Sequence, residues 1–293
     1  MVAFNASKLK IPFMKYRLYA IALSLILVVS SLGMVFTKGL NLSVDFTGGL
    51  VLQVEFSSPV EVADVRASLS SIGQGQAIIQ AYDKNEVLIR FQAQDETVRR
   101  EVLATLKKDF GGLKILKIDK VGPVVGQELR TQAIVALGLA LAGILIYMAF
   151  RFKFRFGIAA VIALMHDSII MLGVYSLTGK EVAVPFIAAI LTVVGYSLND
   201  TIVVLDRVRE NWSNVRTQGV VELVDLSINQ TLSRTINTSL TTLLPVLAMV
   251  MFGGEVISNF AFAFLIGIIV GTYSSIFIAS SIVAEWYSRY PKF

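Results

Sequence analysis

Six long apolar runs constrain the fold of this chain more than any other feature of its sequence. A transmembrane helix needs about 20 mostly apolar residues, with a range of about 17 to 25, to cross a hydrocarbon core about 30 Å thick. The runs occupy residues 18–36, 131–150, 157–177, 183–205, 236–252 and 257–283. The sequence therefore predicts a polytopic α-helical membrane protein with six transmembrane helices.

The first run also shares features with a secretory signal peptide, because it lies near the amino terminus and follows several cations. A signal peptide has an apolar region of about 7 to 15 residues and a small-residue cleavage site. The run at residues 18–36 is longer, and no clear A-x-A site follows it. We therefore expect it to remain in the protein as a membrane anchor.

Composition argues against several classes of function. Hydrophobic residues make up 55% of the chain and charged residues only 16%, against about 25% charged in a typical soluble protein. With no Cys and a single His, the chain lacks thiolates and a His-rich ligand set, so we expect no metal or other cofactor. The net charge of +5 arises in short loops beside the predicted spans, which argues against a nucleic-acid partner.

Charge around the spans predicts their orientation. Lys and Arg are concentrated in alternate loops, and the positive-inside rule assigns those loops to the cytoplasm. Both termini are then cytoplasmic, and residues 37–129 lie on the outer face. The cations that decide this are Lys8, Lys10, Lys15, Arg17, Arg151, Lys153, Arg155, Arg207, Arg209, Arg216, Arg289 and Lys292.

The long polar stretch between the first two spans is predicted to fold as a domain of its own. Apolar alternation predicts four strands, at residues 50–56, 77–82, 86–91 and 113–119. Helical patterns lie between the first and second strands and between the third and fourth, and this βαββαβ order is the ferredoxin-like α+β arrangement. The predicted domains are residues 1–36 with the first span, the extracytoplasmic residues 37–129, and residues 130–293 with the other five spans.

Capping and turn residues support these elements. Ser58 before Pro59 predicts the start of the first helix of the domain, and Asp95 predicts the amino-terminal cap of the second. Gly111 is expected to end the second helix. The turn at residues 83–85 is expected to close the hairpin between the two central strands.

Asp200 is the strongest candidate for a functional residue, with Arg234 as its expected partner. The carboxylate lies within the fourth predicted span, where it costs at least ~2.5 kcal/mol, and such acids usually mark ion or proton routes. A structural ion pair and a helix that emerges early are the alternatives. Arg234 lies near the predicted cytoplasmic start of the fifth span, where it would otherwise be a snorkelling arginine. Because burial and a neighbouring cation have opposite effects on the pKa of a carboxyl group, the pair suits proton transfer.

His166 and Asp167 lie near the middle of the third predicted span. They are candidates either for a proton relay or for hydrogen bonding between helices, which is worth under ~2 kcal/mol. Both interpretations stay open at the level of sequence.

Two patterns predict contacts between helices. Four polar side chains share one side of the fourth span by i, i+4 spacing and are expected to face other helices: Thr192, Tyr196, Asn199 and Asp200. Tyr196 and Asn199 are also candidates, with His166 and Asp167, for a polar relay or for packing. Gly267 and Gly271 form a G-x-x-x-G pattern in the sixth span, which is typical of close helix packing.

An intramembrane aspartyl protease is the enzymatic alternative. Its two carboxyl groups must share a proton at close range, whereas Asp167 is predicted near the midplane and Asp200 nearer the cytoplasm. Asn199 also precedes Asp200 where such proteases have Gly. We therefore predict that the chain is not an enzyme.

Five segments of the chain resemble the SecF family closely. They run from the end of the first span to the last, and the fourth-span segment is the most specific of them. The segments are VDFTGG (Val44–Gly49), VGPVVGQEL (Val121–Leu129), GYSLNDTIVVLDRVREN (Gly195–Asn211), NQTLSRTINTSLTT (Asn229–Thr242) and GTYSSIFIA (Gly271–Ala279).

The resemblance implies a role in protein export across the bacterial cytoplasmic membrane. Members of this RND-like family pair with SecD and use the proton-motive force to assist export of unfolded precursor proteins through the SecYEG channel, with YajC as a further possible partner. In that family the residues matching Asp200 and Arg234 are tied to proton transport, so the resemblance implies protons as the coupling ion. An RND-type exporter of small molecules or lipids is the alternative.

The motifs beside the first two spans are candidate hinges. Their glycines suggest either hinges or tight turns, through which motion of the membrane core can reach the outer domain. The residues concerned are Asp45, Gly48, Gly49, Gly122 and Pro123.

Overall fold

The computed structural model describes residues 11–91, 96–152 and 154–290. The chain divides into two compact units. A membrane unit is drawn from the chain up to Asn41 and from Ala136 onward, and a soluble unit spans Leu42–Val135.

The soluble unit contains a four-stranded antiparallel sheet with two helices, as predicted. Its elements are β1 (Gly49–Phe56), α2 (Val62–Ser70), β2 (Ile78–Ala81), β3 (Glu86–Phe91), α3 (Glu96–Phe110) and β4 (Leu113–Val121). The strands lie in the order β2-β3-β1-β4, and every neighbouring pair is antiparallel. The ferredoxin-like βαββαβ arrangement is confirmed.

Alternate residues of the central strands build the core of this unit. Leu52 and Val54 of β1 are fully buried, as are Val65 of α2 and Leu106 of α3, and these residues belong to one apolar cluster. Because strand side chains alternate between faces, the same strand turns Gln53 away from the helices. Each helix therefore covers the same side of the sheet.

The predicted boundaries of the two helices meet different outcomes. Helix α2 starts at Val62, and its cap position is Glu61, whose backbone is still extended, so the prediction of Ser58 as the cap is wrong. Gly111 has a φ of 78° directly after α3, which confirms it as the end of that helix. Asp95 lies outside the described residues. The predicted turn at residues 83–85 joins β2 to β3, as expected.

Close backbone contacts explain two glycines of the soluble unit. Gly48 has a φ of 69°, and a Cβ added to it would lie 3.1 Å from the Cα of Pro123. A Cβ on Gly126 would lie 2.9 Å from the backbone nitrogen of Gly48. The VDFTGG and VGPVVGQEL segments therefore pack against each other through backbone atoms, and larger residues at these glycines would push the two segments apart.

Six helices of the described chain are long and apolar enough to cross a membrane, which agrees with the prediction. The first is α1 (Arg17–Thr37), preceded by a 3-10 turn at Phe13–Tyr16. The others contain α4 (Pro123–Arg151), α5 (Phe154–Thr178), α6 (Val184–Asn211), α7 (Val220–Phe252) and the pair α8 (Glu255–Ser274) and α9 (Ser280–Arg289).

Two spans differ most from the predicted runs. Helix α7 begins at Val220, 16 residues before the apolar run, because its first turns carry polar side chains that pack against protein. The sixth span is interrupted by a π-helical segment at Ser275–Ala279 between α8 and α9. Such segments are frequent at functional sites, and apolar periodicity does not reveal them.

The G-x-x-x-G pattern of α8 packs against α6, as predicted. A Cβ on Gly271 would lie 2.8 Å from the Cβ of Ser197, and one on Gly267 would overlap the side chain of Val193. The small residues thus let α8 approach the helix that carries Asp200.

Of the cations used to predict orientation, Lys8, Lys10, Lys153 and Lys292 lie outside the described residues.

Candidate functional site

Asp200 is a buried carboxylate on α6, only 2% exposed. It lies 16 residues after Val184, or about 24 Å along the helix. Within the described residues, its Oδ2 atom has no hydrogen-bond partner. An ionisable oxygen is therefore held inside the helix bundle without a fixed donor.

Helix α7 supplies the groups that act on this carboxylate. Arg234 interacts with it electrostatically, and Ser239 is the hydroxyl that approaches it. The Oγ of Ser239 is in turn 2.7 Å from the Oγ1 of Thr272 on α8. Arg234 lies 14 residues inside α7, not at the start of its helix as the sequence suggested, because α7 begins at Val220.

A polar cavity of about 460 Å³ lies between α6 and α7. Its polar lining consists of Asn199, Asp206, Arg207, Glu210, Gln230, Thr231 and Arg234. At the end farther from Asp200, the Arg207 guanidinium donates to Glu210 at 2.7 Å and to Gln230 at 2.6 Å. The cavity therefore runs from a hydrogen-bonded charged mouth to Asn199 and Arg234, the immediate neighbours of the Asp200 site.

Asp167 has a different environment from Asp200, although it is equally buried at 1% exposed. Its Oδ1 is 2.9 Å from Nδ1 of His166. Its Oδ2 accepts hydrogen bonds from Ser197 of α6 at 2.6 Å and from Ser274 of α8 at 2.8 Å. One carboxylate therefore joins three helices through satisfied hydrogen bonds, the arrangement of a packing centre.

The two carboxylates do not form a dyad. Asp167 is occupied by His166 and two serines, whereas Asp200 is approached by Arg234 and Ser239. An aspartyl protease needs a proton shared between its two acids. This geometry gives the two residues separate roles.

The predicted polar face of α6 is divided between two environments. Tyr196 donates a hydrogen bond to Thr242 of α7 at 3.3 Å, and Asp200 is buried. Thr192 and Asn199 are exposed in this chain. Within this chain, Tyr196 and Asp200 therefore face other helices, and for Thr192 and Asn199 the expectation stays a prediction.

The residues of the candidate hinge belong to the soluble unit and not to the Asp200 site. Asp45 follows Ser43, whose Oγ accepts a hydrogen bond from the Asp45 backbone N–H at 3.1 Å. Gly48 and Gly49 both have positive φ, whereas a Cβ on Gly122 would meet open space. The backbone conformation therefore favours glycine in the VDFTGG motif, at Gly48 and Gly49, and not at Gly122.

Family models match most of the chain. The model described as "Protein export membrane protein SecD/SecF, C-terminal" covers residues 101–289, and the SecD/SecF GG motif covers residues 33–60. The chain belongs to the SecD/SecF family. The GG motif contains the close contact at Gly48, and the larger match contains Asp200, Arg234, His166 and Asp167.

SecF relatives share nearly the full length of the chain. It is 46% identical over 291 residues to the protein translocase subunit SecF of Desulfurispirillum indicum, covering 96% of this chain and 93% of the relative. It is 42% identical to SecF of Pseudomonas aeruginosa, covering 94% and 91%. The resemblance inferred from the motifs is confirmed.

A solved structure shares the fold. The chain matches the crystal structure of SecDF from Thermus thermophilus, described as a translocon-associated membrane protein, with a TM-score of 0.90 and 43% identity. The match covers 97% of this chain but 39% of that structure. The chain therefore corresponds to less than half of the SecDF protein.

Several residues at these sites escaped the sequence analysis. Ser197, Ser239 and Ser274 surround the two carboxylates, yet hydroxyl residues are common in transmembrane helices and carry no distinguishing signal alone. For Ser197 alone the sequence offers a signal, because this residue lies three positions before Asp200 on a polar face.

Proposed function

We propose that this chain is the SecF-type subunit of the protein-export machinery, and that with SecD it uses the proton-motive force to drive translocation of precursor proteins. The observation that carries the proposal is the Asp200 carboxylate, buried within α6, with one unpartnered oxygen and Arg234 acting on its charge. The proton is the coupling ion, and Asp200 is the group that binds it.

The environment of Asp200 supports reversible protonation. A fully hydrogen-bonded carboxylate such as Asp167 would lose its donors' interactions on protonation, whereas Asp200 Oδ2 has no donor to lose. Arg234 remains charged throughout, so a shift of α7 changes the balance between the charged and neutral acid. Moving one charge through 100 mV is worth about 2.3 kcal/mol, enough to bias a conformational equilibrium of that size.

The polar cavity supports a route for the proton to one side of the membrane. It extends from Glu210 and Arg207 to Asn199 and Arg234, a distance of about 16 Å along α6. The cations around its mouth support a cytoplasmic position for that side, by the positive-inside rule. Both termini are then cytoplasmic, and the soluble unit lies on the outer face of the bacterial inner membrane.

An exposed polar stripe supports SecD as the membrane partner. Arg234, Asn237 and Thr241 are exposed along α7, and Thr192 and Asn199 are exposed along α6. Polar side chains facing hydrocarbon are costly, so a second membrane chain is the natural cover for them. The SecDF relative of Thermus thermophilus is a single protein of which this chain spans 38%, which agrees with SecD as that cover.

The outer unit would act on the precursor as it leaves the SecYEG channel. Spans α1 and α4 flank this unit in the chain, so a change in the membrane core reaches it through two covalent connections. Cycles of protonation at Asp200 then alternate the unit between states that hold and release an unfolded chain.

The test is export of a secreted precursor into vesicles containing SecYEG and SecD, with and without a proton gradient. Asp200→Asn should abolish stimulation by the gradient and leave assembly with SecD intact. Asp119→Asn, at a half-exposed carboxylate of β4, is the matched control and should behave as wild type. Equal stimulation in the Asp200→Asn vesicles would refute the proposal, because gradient-driven export would then not depend on this carboxylate.

A further inference from the structure

We infer that Asp225 and Asn229 of α7 are positioning residues, which bind the N-terminal segment (residues 11–16) and so join the helix carrying Arg234 to α1. This inference rests on the proposed function, because it concerns how a change at Asp200 and Arg234 is transmitted. The contacts that carry it are hydrogen bonds between side chains of α7 and backbone atoms of the segment.

Asn229 recognises the backbone of Ile11 in both directions. Its Oδ1 accepts from the Ile11 N–H at 2.9 Å, and its Nδ2 donates to the Ile11 carbonyl at 2.9 Å. A neighbouring β-strand makes the same pair of bonds to a residue. The side-chain amide therefore fixes the position of this residue along α7, because no side chain lacking either group reproduces both bonds.

Asp225 caps the helical turn that leads into α1. Its Oδ1 accepts from the Met14 N–H at 2.8 Å, one turn before Asn229 on the same face of α7. The first N–H groups of a helix have no acceptor within it. Here the acceptor comes from another helix, 211 residues away in sequence.

Apolar contacts hold the segment in place beside these bonds. Met14 is fully buried and Phe13 is 9% exposed. The ring of Phe13 packs edge-on against Phe277 at a centroid distance of 5.7 Å, and Phe277 lies in the π-helical segment of the sixth span. The segment is thus seated on protein and not merely adjacent to it.

Arg234 lies on a different face of α7 from these two residues. It is five positions beyond Asn229, about 140° around the helix, and lines the cavity between α6 and α7. Helix α7 therefore contacts the acid-bearing helix on one side and the N-terminal segment on another. A movement of α7 that follows protonation of Asp200 would be passed to α1, whose outer end continues into the soluble unit.

Removing the hydrogen bonds should uncouple the two helices. Asn229→Leu keeps an apolar side chain of similar size but loses both bonds to Ile11, and Asp225→Leu loses the bond to Met14. Asp225→Leu should lower gradient-stimulated export about fivefold and Asn229→Leu about thirtyfold, since they lose one and two hydrogen bonds of about 1 kcal/mol each. Asp225→Asn keeps the Oδ1 acceptor and should retain stimulation, which separates the hydrogen bond from the charge.

A covalent replacement tests the inference within one protein. The chain contains no Cys, so Ile11→Cys with Asn229→Cys introduces the only thiol pair. When reduced, this variant should lose gradient-stimulated export; when joined by oxidation or by a short bis-maleimide, it should regain it. A purely structural loss would not return on cross-linking, so failure of the joined form to recover would overturn the inference.

Asp200→Asn, measured in the same vesicles, distinguishes the two possible failures. If Asp200→Asn keeps gradient stimulation, the proposed function is wrong. If Asp200→Asn loses it while Asn229→Leu exports as wild type, only the inference about α7 and the N-terminal segment is wrong. Assembly of every variant with SecD is measured in parallel, so that export is compared at equal amounts of complex.

Discussion

Replacing Asp167 by Asn should destabilise the membrane unit much more than the same substitution at Asp200. Asp167 accepts from Ser197 and Ser274 at Oδ2, and an Asn side chain that keeps its oxygen toward His166 presents an NH₂ group to both serines. Asp200 Oδ2 has no hydrogen-bond partner among the described residues, so Asn at that position leaves no donor without an acceptor.

The expected magnitudes follow from these contacts. A hydrogen bond to a charged group contributes about 1.5 to 3 kcal/mol, so loss of two amounts to about 3 to 6 kcal/mol. Relief of the cost of burying a charge offsets part of this loss. Ser274 also keeps the Gly271 carbonyl, 3.1 Å away, as an alternative acceptor. We therefore expect about 2 to 3 kcal/mol for Asp167→Asn and less than about 1 kcal/mol for Asp200→Asn.

Equilibrium unfolding of the full chain in mixed micelles measures this difference. A double-mutant cycle with Ser197→Ala should give a coupling energy of about 1 kcal/mol or more with Asp167→Asn and near zero with Asp200→Asn. A loss of stability at Asp200 equal to or larger than that at Asp167 would refute the assignment of Asp167 to packing and Asp200 to proton binding.

Two further predictions compare matched glycines. Gly267→Ala should cost about 1 to 3 kcal/mol in the same unfolding assay, because its Cβ would overlap Val193. Gly143→Ala should stabilise the chain by about 0.5 to 1 kcal/mol, because a Cβ there has nothing within 4 Å. Equal effects of the two substitutions would contradict the packing described for α8. Gly48→Ala should weaken hydrogen-exchange protection of the soluble unit by about 1 to 2 kcal/mol because of its φ of 69°, while Gly122→Ala should change it by less than about 0.5 kcal/mol. Unchanged protection in Gly48→Ala would show that the turn does not need glycine.

The fold was largely predictable because lipid and a two-layer core each impose a strong pattern. Apolar runs revealed all six spans, and alternation in β1 and β3 revealed the sheet. The start of α7 was missed because residues 220–235 are rich in polar side chains, which hydropathy assigns to a loop. Their burial against protein, such as Asn229 against Ile11, replaces lipid as the reason for helix formation.

The candidate site was predictable only in its charged members. Asp200 and Arg234 stand out because ionisable groups in spans are rare. The hydroxyl groups that give the two acids different environments, such as those of Ser197 and Ser239, belong to ordinary residues. Their importance depends on which helices meet. Contacts between residues more than 100 positions apart, such as Ser274 to Asp167, follow from packing that a single sequence does not encode in any local pattern.

The central claim is that Asp200 takes up and releases the proton that drives the cycle. Proton flux into liposomes containing this chain with SecD, followed with an internal pH-sensitive dye under an imposed gradient, measures that step without a precursor or a channel. The account predicts rapid acidification with wild type and with Asp119→Asn, and none above empty liposomes with Asp200→Asn. Acidification at the wild-type rate in the Asp200→Asn liposomes would contradict it.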